Sequence, residues 1–111
     1  MEKLIPCGPY MKILIVDDEV PFLNLLKRYL ELWGHECVTA MTGQAAMELL
    51  REGGYDLVLL DIFLPDVKGY DLIPSFRRHL PDIDVIAMTG YNTRALESAV
   101  RQQDVLFYMI K

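Results

Sequence analysis

The sequence has little cysteine, little histidine and no excess of positive charge, and each shortage narrows what the protein does. Cys7 and Cys37 are its two cysteines. They are far apart and lack metal-ligand spacing, which excludes a disulfide scaffold or thiolate metal centre and suits a reducing compartment. Eleven Lys and Arg stand against 16 Asp and Glu, a formal net charge of -5. With no basic cluster to offset that balance, direct nucleic-acid binding by this domain is not expected. Long apolar runs are also missing, and Pro6, Gly8 and Pro9 break up the N-terminal stretch, so neither a signal peptide nor a membrane span is expected. Internal repeats and low-complexity tracts are lacking too. At 111 residues the chain has room for one core. A soluble, cytoplasmic protein is the expectation, with residues 1–11 as an N-terminal extension and residues 12–111 as one domain.

What is present is a regular apolar pattern. Short continuous runs, Ile13 to Val16, Leu57 to Leu60, Val85 to Met88 and Val105 to Ile110, alternate with longer segments at helical spacing. Continuous runs suit parallel strands covered on both faces, so an α/β fold is predicted. His35 to Ala40 reads as a weaker outer strand. Phe22, Leu25, Leu26, Tyr29, Leu30 and Trp33 form one helical stripe that Gly34 stops. Thr42 and Asn92 read as N-caps of two shorter helices. Pro74 makes the segment Gly69 to Leu80 ambiguous, since proline removes a backbone donor: the helix either starts near Pro74 or kinks there.

In open parallel sheets ligands bind beyond the carboxyl ends of the strands. Here those ends are polar: Asp17, Asp18 and Glu19 after the first strand, Asp61 after the third, Thr89 after the fourth and Lys111 after the last. Like charges 4 Å apart repel by roughly 4 kcal/mol at an effective dielectric of 20, so a cation must join such a cluster. Lys111 supplies one charge, and an all-oxygen site suits Mg²⁺. The combination predicts a carboxylate that accepts a phosphoryl group, with Asp61 as nucleophile and with Lys111 and the Thr89 hydroxyl on phosphoryl oxygens. His35 and His79 are isolated and receive no catalytic role; His79 suits the end of a helix dipole.

From Lys12 to Lys111 the residues resemble the receiver domains of bacterial response regulators. The resemblance rests on ILIVDDE at Ile13 to Glu19, LVLLDIFLPDVKG at Leu57 to Gly69, MTG at Met88 to Gly90 and YMIK at Tyr108 to Lys111. It implies a flavodoxin-like, doubly wound five-stranded parallel sheet in the order 2-1-3-4-5. It implies Asp61 as phosphoacceptor, Asp17 and Asp18 as the acidic pair holding Mg²⁺, and Phe63 as giving that ion a main-chain carbonyl. Pro65 and Gly69 would shape the loop, Thr89 and Tyr108 would be the switch residues, and Lys111 completes the set. Such a domain takes part in its own phosphorylation and dephosphorylation without being a turnover enzyme. The implied partner is a histidine kinase or phosphotransfer protein.

The chain departs from the family pattern in having Asp104 and Val105 before the last strand and Lys68 before Gly69. It also stops at Lys111, before the fifth helix, so an incomplete dimerisation and output face and a tendency to self-associate are expected. Asp-Asp-Glu after the first strand argues against a flavin mononucleotide carrier, which needs a phosphate-cradling loop there. Phe63 argues against an aspartate-nucleophile phosphatase, which carries a second aspartate at that position. A non-phosphorylated pseudo-receiver interaction module is the remaining alternative, and it predicts loss of site residues that are all present here.

Overall fold

A computed structural model describes residues 10–111. Cys7 and all but the last two residues of the expected extension lie outside the described residues. Met11 already belongs to the domain: its amide donates to His35 Nδ1 (3.1 Å) and its side chain packs beneath the first helix.

The elements run β1 (Lys12–Val16), α1 (Val20–Leu32), β2 (Glu36–Ala40), α2 (Gly43–Leu50), β3 (Leu57–Asp61), α3 (Gly69–His79), β4 (Asp84–Thr89), α4 (Arg94–Arg101) and β5 (Phe107–Ile110). The strands form one parallel sheet in the order β2-β1-β3-β4-β5, as the resemblance implies. Right-handed crossovers place α1 on one face, because β1 to β2 steps one way along the sheet, and α2, α3 and α4 on the other. Alternation along the strands then sorts the core. Ile13, Ile15, Leu57, Leu59 and Met88 pack under α1, whereas Leu14, Val16, Val58, Leu60 and Val85 pack against α2 and α3. Phe76 of α3 is fully buried there.

Local chemistry sets the element ends, with three corrections to the sequence reading. Thr42 caps α2 by accepting from the Ala45 amide (3.1 Å), as expected, but α4 is capped by Thr93 and not Asn92. Asn92 lies one residue too early and accepts from the Tyr108 hydroxyl instead (2.6 Å). Pro74 sits inside α3, which runs unbroken from Gly69. Its missing donor leaves the Tyr70 carbonyl without its helical partner, a local cost that the burial of Leu72, Ile73 and Phe76 offsets. The apolar stripe of α1 is only half used: Phe22, Leu26 and Leu30 face the core while Leu25, Tyr29 and Trp33 are exposed. Gly34 ends the helix as predicted, with φ of +96°.

The last strand starts at Phe107, later than the apolar run suggests. Asp104 adopts a left-handed turn (φ 59°), and Arg77 binds that turn through the carbonyls of Gln103 and Asp104. Phe107 and Met109 pair in register with Ile86 and Met88, on the sheet face that α1 covers elsewhere. Among the described residues no helix lies over them, and both are exposed.

Candidate functional site

The register of the sheet assembles the site. β1 and β3 pair as Val16 with Leu60, so the next rung brings Asp17 beside Asp61. Both side chains project past the apolar rungs of the sheet and are buried, Asp17 at 0% and Asp61 at 3% exposure. Thr89 ends β4 at the same level and is also buried. Lys111 follows β5, its amide donating to the Thr89 carbonyl (2.8 Å).

Lys111 Nζ is the hub, at 2.7 Å from Glu19 Oε1, 2.9 Å from Asp17 Oδ2 and 3.2 Å from Asp61 Oδ2. Burial works against its charge, but contacts with Asp17, Glu19 and Asp61 outweigh that and hold its pKa above the ordinary lysine value. The Asp61 pKa also moves up, which for a carboxylate disfavours the charged form. Burial raises its pKa; the Phe63 amide, donating to Oδ1 at 3.1 Å, pulls it down, Asp17 pushes it up, and Lys111 pulls it down; the net direction is up. The balance describes a buried carboxylate whose desolvation, with Asp17 beside it, outweighs the Phe63 amide and Lys111.

Two observations fit a hard dication at this point. Carboxylate oxygens of Asp17, Glu19 and Asp61 all lie within 4.8 Å of one another, against the single ammonium of Lys111. Asp17 Oδ2 is fully buried and, among the described residues, is met by the Lys111 ammonium in a 2.9 Å ion pair but by no main-chain or hydroxyl donor. A buried carboxylate oxygen in an all-oxygen cluster that shares a single ammonium is what a magnesium-type ion satisfies.

The acidic pair of the sequence reading is split. Asp17 lies beside Asp61, whereas Asp18 is exposed and stands outside the three-carboxylate cluster. The strand ends at Val16 and the chain bends at Asp18, so the two adjacent aspartates do not both enter the cluster. Glu19 joins the cluster in its place, from the N-cap position of α1, with its amide held by Asp17 Oδ1 (2.9 Å). The signal was present in the acidic triplet, but spacing alone does not say which two of three carboxylates converge.

The loop after β3 is shaped by close backbone approach. A side chain on Gly69 would come within 2.3 Å of the Asp61 carbonyl oxygen, so α3 starts against β3 only because this residue is glycine. Gly69 donates to the Ile62 carbonyl (2.6 Å), and Phe63 bridges to Lys68, closing the loop. On the other side of the site the Thr89 hydroxyl donates to the Tyr91 carbonyl (2.7 Å) and accepts from its amide (3.0 Å). The Phe63 and Tyr91 rings meet edge to face, centroids 6.2 Å apart, across the two loops. Tyr108 is half-buried against Ile62, Ala87 and Val100, its hydroxyl on Asn92 and its ring 5.7 Å from the Arg101 guanidinium.

His35 and His79 lie away from the cluster; His79 Nδ1 approaches the Ser75 carbonyl oxygen (3.2 Å) near the end of α3. Cys37 is a free, buried thiol whose pKa burial and Glu31 push up to about 11, so it is not a nucleophile. No helix among the described residues is long and apolar enough to cross a membrane.

Comparison with known proteins agrees with this geometry. The sequence profile of the response regulator receiver domain matches residues 13–111. The chain is 32% identical over 104 residues to the transcriptional regulatory protein ZraR of Klebsiella oxytoca, covering 94% of this chain and 24% of that protein. It therefore spans about a quarter of that relative's length. It is similar to the response regulator TrrA of Thermotoga maritima, solved in complex with Mg²⁺-BeF, at 34% identity and a TM-score of 0.81, with 91% of this chain and 86% of that one covered. It is also similar to a response regulator of Burkholderia pseudomallei, solved with a phosphorylated aspartic acid, calcium ion and citrate, at 25% identity and a TM-score of 0.85, with 91% and 59% covered.

Proposed function

The chain belongs to the response regulator receiver domain family of two-component signalling, and from that premise we propose that Asp61 accepts a phosphoryl group and that Thr89 and Tyr108 convert its arrival into a change of shape. The observation that carries this reading is the convergence of Asp17, Asp61 and Lys111 in one buried cluster at the strand ends. The solved relative with a phosphorylated aspartic acid supports the same chemistry.

In the proposed step a carboxylate oxygen of Asp61 forms the bond to phosphorus as the bond from phosphorus to the donor breaks, and the donor leaves with that electron pair. Asp61 is ionised for the attack, a state that Lys111 and the Phe63 amide stabilise. Lys111 then meets a phosphoryl oxygen as a point charge. Asp17, Asp61 and the main-chain carbonyl of Phe63 would hold Mg²⁺, with a further carboxylate from Asp18 or Glu19. Bound there, the ion neutralises charge on the phosphoryl oxygens. We assign the further place to Asp18, because the Glu19 carboxylate is already engaged by Lys111 at 2.7 Å while Asp18 has no such partner among the described residues. Asp18→Ala is then expected to weaken magnesium binding more than Glu19→Ala in a fluorescence or NMR titration. The opposite order would return the place to Glu19.

The Thr89 hydroxyl now bonds the Tyr91 main chain. A phosphoryl oxygen competing for its proton would release the 91–92 loop and, through Asn92, the Tyr108 hydroxyl. A shift from 1:99 to 99:1 between two such arrangements needs about 5.5 kcal/mol of differential interaction. The donor is a histidine kinase or phosphotransfer protein, and the β5 edge, on which Phe107 and Ile110 are exposed among the described residues, supports self-association. The pseudo-receiver alternative is disfavoured because the phosphoacceptor, the Lys and the Thr are all in place.

The test is incubation with acetyl phosphate and Mg²⁺ followed by intact-mass measurement. One added phosphoryl group is expected, absent without the metal and absent in Asp61→Asn. Equal labelling of Asp61→Asn would refute the assignment.

A further inference from the structure

The loop after β3 is tied at its tip to a distant helix. Asp66 accepts two main-chain amides at the start of α2, from Gly43 to Oδ1 (2.9 Å) and from Gln44 to Oδ2 (3.1 Å). The donors are two of the unpaired amides of the helix N-terminus, where the helix dipole also favours a carboxylate. The Gly43 amide bond, with help from Gln44, holds the Asp66 pKa below the ordinary aspartate value. The fit is close: a side chain on Gly43 would come within 2.3 Å of Val67 Cγ1 and 3.0 Å of Leu72 Cδ1. Thr42 already caps α2 through the Ala45 amide, so Asp66 adds a second, long-range cap and not the helix's sole one.

The same loop reaches the acceptor carboxylate. It is closed by the Gly69 to Ile62 bond and the Phe63 to Lys68 bridge, and the Phe63 amide holds Asp61 Oδ1. A closed loop moves as a unit, so the position of its tip on α2 sets the position of the Phe63 amide. We propose that Asp66 is a positioning residue for phosphoryl acceptance: by docking the loop on the N-terminus of α2 it places the Phe63 main chain against Asp61. Asp66 itself touches neither the donor nor the reacting atoms. The inference rests on the proposed role of Asp61, and Gly43 is its counterpart on the helix side.

Three variants and a control test it. Asp66→Ala removes the tether from the loop side, Gly43→Ala obstructs it from the helix side, and Asp66→Asn retains one acceptor oxygen. Thr42→Ala removes the other cap of α2 without touching the loop. In metal-free protein, the Phe63 amide resonance is expected to move in Asp66→Ala and Gly43→Ala, to move less in Asp66→Asn, and to stay in Thr42→Ala. The rate of phosphoryl uptake from acetyl phosphate at fixed Mg²⁺ is expected to fall roughly tenfold in the first two. Asp66→Asn is expected to recover part of that rate. An unmoved Phe63 resonance in folded Asp66→Ala would overturn the proposal, and so would Thr42→Ala reproducing its effects, which would reduce Asp66 to a helix cap. If wild-type protein took up no phosphoryl group, the role of Asp61 would fail while the metal-free resonances still reported on the tether.

Discussion

The two sides of the site are built differently. On the β1 and β3 side, Asp17 and Asp61 extend from strands whose Ile13 to Val16 and Leu57 to Leu60 are buried, with helices packed over both faces. On the β4 and β5 side, Thr89 is held by its own loop, Tyr108 by one side-chain hydrogen bond, the Arg101 guanidinium and a small apolar cluster, and β5 exposes Phe107, Met109 and Ile110. The acceptor side is fixed by core packing, and the responding side rests on a few polar contacts near solvent. Elements held by few buried contacts are the ones that open at low free-energy cost. The proposed function requires that asymmetry: on it, Asp61 stays in place as nucleophile while its surroundings rearrange.

The asymmetry is broken most severely by cavities. Ile15→Ala, at a fully buried position under α1, should cost about 2–5 kcal/mol, whereas Met109→Ala should cost under about 1 kcal/mol. Denaturant titration of both variants checks this, and equal losses would abolish the distinction. The aromatic pair bridging the two sides gives the next effect. If Phe63 and Tyr91 exclude water from the phosphorylated carboxylate, the Phe63→Asn, Tyr91→Glu double variant should lose its phosphoryl group roughly tenfold faster, about 1.4 kcal/mol in barrier. Equal decay at fixed Mg²⁺ would show that the rings do not shield it.

Relief of charge on the acceptor side comes third. Asp61→Asn in EDTA at neutral pH should raise the melting temperature by roughly 4–8 °C, the equivalent of 1 kcal/mol in a domain of this size. The sign follows from the raised Asp61 pKa. The folded wild type holds that proton more tightly than the unfolded chain does, so its stability falls as pH rises from the unfolded value through the folded one. The advantage of Asp61→Asn should therefore be largest at neutral pH and should vanish below the ordinary carboxylate value of 3.8. The smallest effect belongs to Tyr108→Phe, which deletes the bond to Asn92. It should cost about 0.5–1 kcal/mol and speed amide exchange in β5 while leaving β1 and β3 unchanged.

Much of the site was legible in the sequence, because continuous apolar runs fix parallel strands, and a strand's last residue then falls at the sheet's carboxyl edge. Asp17, Asp61 and Lys111 came together for that reason, with Thr89 at the same edge. Partner choice among neighbours was not legible. Asp18 and Glu19 are adjacent in an acidic triplet, and only the turn into α1 decides which one reaches Lys111. Asn92 and Thr93 are both good caps, and one residue of register separates a helix cap from a tyrosine's partner. The α1 stripe showed which residues are apolar but not that half of them would lack a covering element among the described residues. The Asp66 contact spans 23 residues of sequence, and no local pattern announces it.

The division between a fixed and a responding side is tested most directly by amide chemical shifts recorded before and after phosphorylation with acetyl phosphate and Mg²⁺. Beyond the immediate neighbours of Asp61, the largest changes are expected at Thr89, Tyr91, Asn92 and Tyr108, with Ile13 to Ile15 and Leu57 to Leu59 nearly unmoved. Changes confined to the neighbours of Asp61, or spread evenly through β1 and β3, would contradict the account.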